Sequence, residues 1–184
     1  MDGTDEDAAL LARLARGDDR AAALLLDRLG PRLMGFALRM TGGDAAAAED
    51  IVQEAFLRLW QKAAGWDAGG AARVSTWLGR VAANLAIDRQ RKAARLTGLD
   101  SEDDPPDPGP SALAGMMARE RAAALDAALA ALPDRQRQAV VLRHVEGYSN
   151  PDIAAMMGCG VEAVESLTAR GKRRLAQMLG EEDR

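Results

Sequence analysis

The segment Ser149-Asn-Pro-Asp-Ile-Ala-Ala-Met-Met-Gly-Cys-Gly-Val-Glu-Ala-Val-Glu-Ser-Leu-Thr-Ala-Arg-Gly-Lys-Arg-Arg174 decides the fold. Ser149 followed by Asp152 fits a capping box, with Ser at the N-cap and Asp at N3. Pro151 falls in the first turn, where its missing N–H costs nothing. Ile153–Met157 then reads as a short helix, Gly158-Cys-Gly160 as a tight turn, and 161–179 as a final helix. Two helices joined by a glycine turn point to a helix-turn-helix, a pattern that by itself is only moderately specific. Upstream, the same reading gives helices over 117–131 and 134–146, separated by Leu132-Pro133.

Further upstream lies the strongest internal boundary. Residues 99–115 hold four of the seven prolines and five acids without a base. Proline removes backbone donors and like charges repel, so this stretch reads as extended. Residues 97–116 are therefore a flexible, acidic, Pro-rich linker between domains 1–96 and 117–184. Twenty residues reach at most roughly 65 Å, about two turns of B-DNA at ~34 Å per turn.

Before the linker, four helices are expected. Residues 5–16 carry Leu10, Leu11 and Leu14. Residues 18–40 carry Leu24, Leu25, Leu29, Leu33 and Phe36, with a break or kink at Gly30-Pro31. Residues 44–63 place Ile51, Val52, Ala55, Phe56 and Leu59 on one stripe of period 3.6. A glycine-containing loop, 65–73, precedes a helix over 75–95 whose apolar set is Trp77, Leu78, Val81, Leu85 and Ile87. The expected fold class is all-α, two small helical domains. The composition agrees: 48% of the 184 residues are hydrophobic but only 3% aromatic, so helices would pack through thin Ala, Leu, Val and Met seams.

Charge is partitioned. The formal net charge of −4 argues weakly against nucleic-acid binding, for which a basic domain is the usual footprint. Residues 65–96, however, carry six bases against two acids, and Arg170, Lys172, Arg173 and Arg174 cluster within five residues. Each basic patch suits phosphates; the plain alternative is a solvated helix face.

Several classes are excluded. A single Cys159 rules out an intramolecular disulfide or a cysteine zinc site, and a single His144 rules out a multi-histidine metal site. No apolar run approaches the ~20 residues of a membrane span. The acidic N-terminus lacks the apolar region of a signal peptide, so a soluble cytoplasmic protein is expected. No phosphate loop or nucleophile–base set stands out, so neither an enzyme nor a cofactor is expected. Cys159 reads as a small apolar turn residue rather than a redox sensor. His144 reads as packed or solvated.

Three motifs carry a family resemblance. Asp50-Ile-Val-Gln-Glu-Ala-Phe-Leu-Arg-Leu-Trp60 resembles region 2.2 of bacterial sigma factors, and Ser75–Arg89 resembles regions 2.3–2.4. Leu132–Leu142, Gly147-Tyr-Ser149, Asp152-Ile-Ala154 and Val164-Glu-Ser166 resemble region 4. A region 2, an acidic linker and a region 4 in under 200 residues are similar to the extracytoplasmic-function (ECF) sigma factors, over roughly 8–96 and 117–180.

The resemblance implies a factor that binds core RNA polymerase, directs it to −10 and −35 promoter elements and helps open the duplex. It also implies control by an anti-sigma factor and a stress-response setting. Asp50, Gln53, Glu54 and Leu57 share one helix face at i, i+3, i+4 and i+7. By resemblance that face, bordered by Trp60, meets the clamp helices of the polymerase β′ subunit, while region 4 meets the β flap. Arg80, Asn84, Asp88 and Arg91 share a face suited to the −10 element, Asn84 to a base edge and the arginines to phosphate or guanine. Asp88 is expected to pair with Arg91 or Lys92. Trp77 has two readings, a base-stacking platform or core. In region 4, Glu165 and Leu167 occupy positions where relatives often carry bases, and both are expected to face the major groove. The −35 element would then be read by Glu165, Ser166, Arg170 and Lys172, with Asn150 and Arg143 adding phosphate contacts and Arg173 at the rim. Two other readings remain open: a sigma mimic that sequesters an anti-sigma factor, and a stand-alone helix-turn-helix regulator.

Overall fold

The computed structural model describes residues 4–67, 73–97 and 117–181. Residues 98–116 of the linker expected over 97–116, and part of the 65–73 loop, lie outside the described residues. Every regular element among the described residues is helical, so the chain is all-α. The helices are α1 (Thr4–Leu14), α2 (Asp19–Met40), α3 (Ala45–Lys62), α4 (Val74–Thr97), α5 (Met117–Ala130), α6 (Asp134–Val140), α7 (Asn150–Met157) and α8 (Val161–Glu181). A 3-10 turn, Ala63–Gly65, follows α3, and a π-helical turn, Val141–Val145, extends α6. The helices form two compact units: one from 4–37 with 45–86, the other from 38–44 with 87–181.

In the first unit, the stripe Ala47, Ala48, Ile51, Val52, Ala55, Phe56 and Leu59 of α3 is buried, as its period required. Leu11 of α1, Leu25 of α2 and Leu78 of α4 are fully buried with it. Arg28 of α2 reaches back to α1, its Nε donating to Asp7 at 3.0 Å and its Nη1 to Glu6 at 2.7 Å.

Of the break or kink expected at Gly30-Pro31, a break is not there: α2 runs through Pro31 without interruption. A proline inside a helix costs about 3 kcal/mol. Leu25, Leu33, Phe36 and Met40 are buried on both sides of it, each contributing about 1.5–3 kcal/mol, and that sum outweighs the local cost.

In the second unit α8 is the central helix, packing against α5, α6 and α7. Its buried stripe is Val164, Leu167, Thr168, Gly171 and Leu175. Gly171 sits where α8 meets α6, and a Cβ there would come within 2.7 Å of the Val140 side chain. Helix α6 departs from a simple amphipathic pattern, since Gln136, Arg137 and Gln138 are all buried. Arg137 is satisfied by neighbouring turns. Its Nη1 donates to the carbonyls of Leu132 (3.0 Å) and Ala130 (3.4 Å), its Nε to that of Met40 (3.5 Å), and its Nη2 to Asp134. The helix expected over 134–146 is therefore α6 plus the π-helical turn. In that turn Glu146 N–H bonds the Val141 carbonyl at 3.1 Å. Val141 and Leu142 are buried there, while Arg143, His144 and Val145 are turned to solvent.

Candidate functional site

Three surfaces carry the residues singled out from the sequence. The first is the outer face of α3. Asp50, Gln53 and Leu57 are exposed, opposite the buried stripe. Leu57 is 53% exposed, a large apolar group in the middle of a polar face. Glu54 is half-buried and bridges to Arg58, Nε to Oε1, at 2.7 Å. Trp60 is half-buried, its ring tilted against Phe56 with centroids 5.3 Å apart. The structure thus brings all five residues to one side of α3, with Trp60 fixed by the core.

The second surface is α4. Arg80, Asn84 and Arg91 are exposed. Asp88 pairs with Arg91 at 3.6 Å, one of the two partners expected for it. Arg91 also donates to the Met156 carbonyl at 3.4 Å. Trp77 is half-buried and meets Trp66 edge to face, with centroids 6.0 Å apart and planes at 86°. An aromatic pair of this geometry adds roughly 0.5–1.5 kcal/mol beyond area burial. Trp77 therefore belongs partly to the core and partly to the surface. Sequence reasoning missed Trp66; its signal was a second tryptophan at the start of the loop leading to α4.

The third surface is the helix-turn-helix. Ser149 caps α7 as expected, its Oγ accepting from the Asp152 N–H at 3.3 Å. Gly158 ends α7 in the left-handed region at φ 57°, which sets the turn into α8. On α8, Glu165, Ser166, Ala169, Arg170, Lys172 and Arg173 are exposed. Leu167 is not among them. It was expected to face the major groove, but it is 7% exposed and lies on the same buried stripe as Val164, three residues earlier. An apolar residue in phase with that stripe goes to the core.

Asn150 and Arg143 are engaged within the protein. Asn150 Nδ2 donates to Glu165 Oε1 at 3.4 Å, and Arg143 Nη1 donates to the Tyr148 carbonyl at 3.0 Å. Asn150 and Glu165 line an open groove of about 440 Å³, with Arg143, His144, Thr168 and Lys172 around them. Desolvation at this rim lowers the His144 pKa below its ordinary 6.5, and the nearby charges of Lys172 and Arg143 lower it further. Cys159 is half-buried in the turn. Among the described residues, no group of three or more His, Cys, Asp or Glu could hold a metal ion. No described helix is long and apolar enough to cross a membrane.

The architecture is that of two helical units, one of them carrying a capped helix-turn-helix. Comparison with known proteins makes this specific. Residues 25–96 match the family model for sigma-70 region 2, and residues 122–175 match that for sigma-70 region 4. The chain is 37% identical over 175 residues to the ECF RNA polymerase sigma factor SigM of Mycobacterium tuberculosis, covering 95% of this chain and 85% of that protein. It is 33% identical to the RNA polymerase sigma-H factor of Pseudomonas aeruginosa, covering 95% and 94%. Among solved structures it is similar to the sigma factor RpoE of Bartonella quintana, determined in complex with the anti-sigma factor NepR. That match has a TM-score of 0.56 and 25% identity, over 84% of this chain and 94% of that one. It is also similar to CnrH in complex with the cytosolic domain of CnrY, with a TM-score of 0.54 and 30% identity over 96% and 99%.

The chain belongs to the ECF family of RNA polymerase sigma factors. It is a promoter-specificity factor: it binds core RNA polymerase and directs the enzyme to promoter DNA.

Proposed function

We infer that residues 1–96 form the region 2 domain, which docks on core polymerase and reads the −10 element. Residues 117–184 form the region 4 domain, which reads the −35 element, and 97–116 tether the two. Asp50, Gln53, Glu54, Leu57 and Trp60 make the polymerase contact on the β′ clamp helices, and region 4 meets the β flap. Trp77, Arg80, Asn84 and Arg91 contact the −10 element. Glu165, Ser166, Arg170, Lys172 and Arg173 contact the −35 element. The protein acts in the cytoplasm by binding, and chemistry stays with the polymerase. An anti-sigma factor controls it, a reading supported by the complex of the similar sigma factor RpoE with the anti-sigma factor NepR.

The observation that carries this reading is Leu57, half exposed at the centre of a polar face whose opposite side is buried. Two carboxylates and an amide around an exposed leucine fit a basic helix with an apolar centre. The test is affinity for purified core polymerase. Leu57→Asp is expected to weaken binding at least about tenfold, the cost of disrupting a central contact. Unchanged binding would remove the face from the interface. The mimic alternative rested on Glu165 and Leu167 together, and the burial of Leu167 takes away half of that support.

A further inference from the structure

We propose that Glu165 reads a base: its carboxylate, beside Asn150, accepts a hydrogen bond from the N4 amino group of a cytosine in the −35 element. One letter of the promoters served by this protein is thereby fixed. The inference rests on the reading of α8 as the −35 helix and names what that helix selects.

Glu165 lies in the second turn of α8 and is exposed, while its neighbours Val164 and Leu167 are buried. The core thus sets the direction in which residue 165 leaves the helix. Asn150, in the first turn of α7, donates from Nδ2 to Oε1 at 3.4 Å. An ionised carboxylate has two oxygens with about four acceptor sites and no donor. At 3.4 Å the bond from Asn150 is long and weak, so the direction of the group comes chiefly from its buried neighbours, and acceptor capacity remains for DNA.

Base chemistry then selects the partner. In the major groove guanine offers the acceptors N7 and O6, and thymine offers the acceptor O4 and a methyl group. Both repel a carboxylate. Adenine offers the N6 donor beside the N7 acceptor, so one attraction is offset by one repulsion. Cytosine offers the N4 donor alone and is the favoured partner. An acid near DNA also meets phosphate repulsion. Arg170, Lys172 and Arg173 are exposed on the same helix and supply sequence-independent attraction. Glu165 therefore acts by discrimination, rejecting guanine and thymine more than it adds affinity.

The test uses holoenzyme reconstituted from core polymerase and the full chain, at one salt concentration, on templates with a randomised −35 element. Transcripts are sequenced and base preference is scored at each position. The wild type is expected to favour cytosine at one position by roughly 5- to 30-fold, the lower half of what a good base contact carries. Glu165→Gln should move that same position toward adenine, and Glu165→Arg toward guanine, with the other positions unchanged. Asn150→Ala should keep cytosine but shrink the ratio. Absence of a cytosine preference at every position would overturn the proposal. So would Glu165 variants that raise transcription equally on all templates, since Glu165 would then be only an electrostatic brake. Failure of the wild-type chain to bind core polymerase would instead overturn the polymerase-docking reading, in a separate measurement.

Discussion

Arg137→Met removes the guanidinium from α6 while keeping a stem of similar length. Arg137 is 5% exposed. Its bond to the Leu132 carbonyl at 3.0 Å has good geometry, and it is paired with Asp134; the bonds to Ala130 (3.4 Å) and Met40 (3.5 Å) are long and weak. Asp134 is half exposed and regains water when Arg137 is lost, so its share of the cost is small. The Leu132 carbonyl, in the tight turn between α5 and α6, loses a charge-assisted donor without an equal replacement. A hydrogen bond to a charged group is worth about 1.5–3 kcal/mol, and a buried acceptor left unpaired costs about 1–3. With relief from desolvating the charge, the expected loss is about 2–3 kcal/mol, or roughly 30- to 150-fold. Amide hydrogen exchange on the full chain, resolved by peptide, measures it: α5 and α6 should exchange faster by that factor and α1, in the other unit, should not. Arg137→Lys keeps the charge but not the planar fork and should lose less. A change under twofold in Arg137→Met, or a lysine variant as protected as wild type, would refute the argument.

Other outcomes follow from the same packing. Gly171→Ala puts a methyl within 2.7 Å of Val140 and should destabilise the second unit by about 1–3 kcal/mol, typical of overpacking; a gain from improved helix propensity would mean that α6 and α8 can move apart. Ser149→Ala removes the α7 cap and should cost about 1 kcal/mol in denaturant unfolding, with Ser149→Asp recovering most of it. His144 is held below 6.5, so the folded protein binds fewer protons than the unfolded chain as pH falls. Its contribution is intact above 6.5 and is lost as pH drops through the lowered folded value. Thermal midpoints from pH 7.5 to 5 should therefore fall less steeply in His144→Gln than in wild type; parallel curves would remove His144 from the linkage.

Much of this architecture was legible because it is written in local periods. The α3 stripe at Ile51, Val52, Ala55, Phe56 and Leu59 is a plain 3.6 repeat, and Ser149 with Asp152 is a local capping signal, so both could be placed without tertiary information. Leu167 shows where analogy misled. Aligning it with basic residues of relatives pointed it at DNA, although its spacing of three from Val164 already placed it on the core stripe. Arg137 was illegible for another reason: a charged residue is exposed by default, and the carbonyls that accept from it belong to turns outside its own helix. The unbroken course of α2 through Pro31 could not be foreseen, because the local penalty is visible in sequence, whereas the burial that outweighs it is not. Trp66 escaped notice because its partner, Trp77, lies across a loop.

The division of α8 into a buried stripe and an outer face has an evolutionary corollary. Val164, Leu167, Thr168, Gly171 and Leu175 anchor the helix, while Glu165, Ser166, Ala169, Arg170 and Arg173 face outward. A substitution in the second set leaves the first untouched. Exposed positions away from packing usually shift stability by no more than about 0.5 kcal/mol. On the proposed −35 reading of α8, a duplicated copy of this chain can therefore drift to new promoters one base at a time without passing through an unfolded intermediate. On that proposed reading, the outer residues would set which genes such a lineage serves and the inner ones keep the fold, on opposite sides of a single helix.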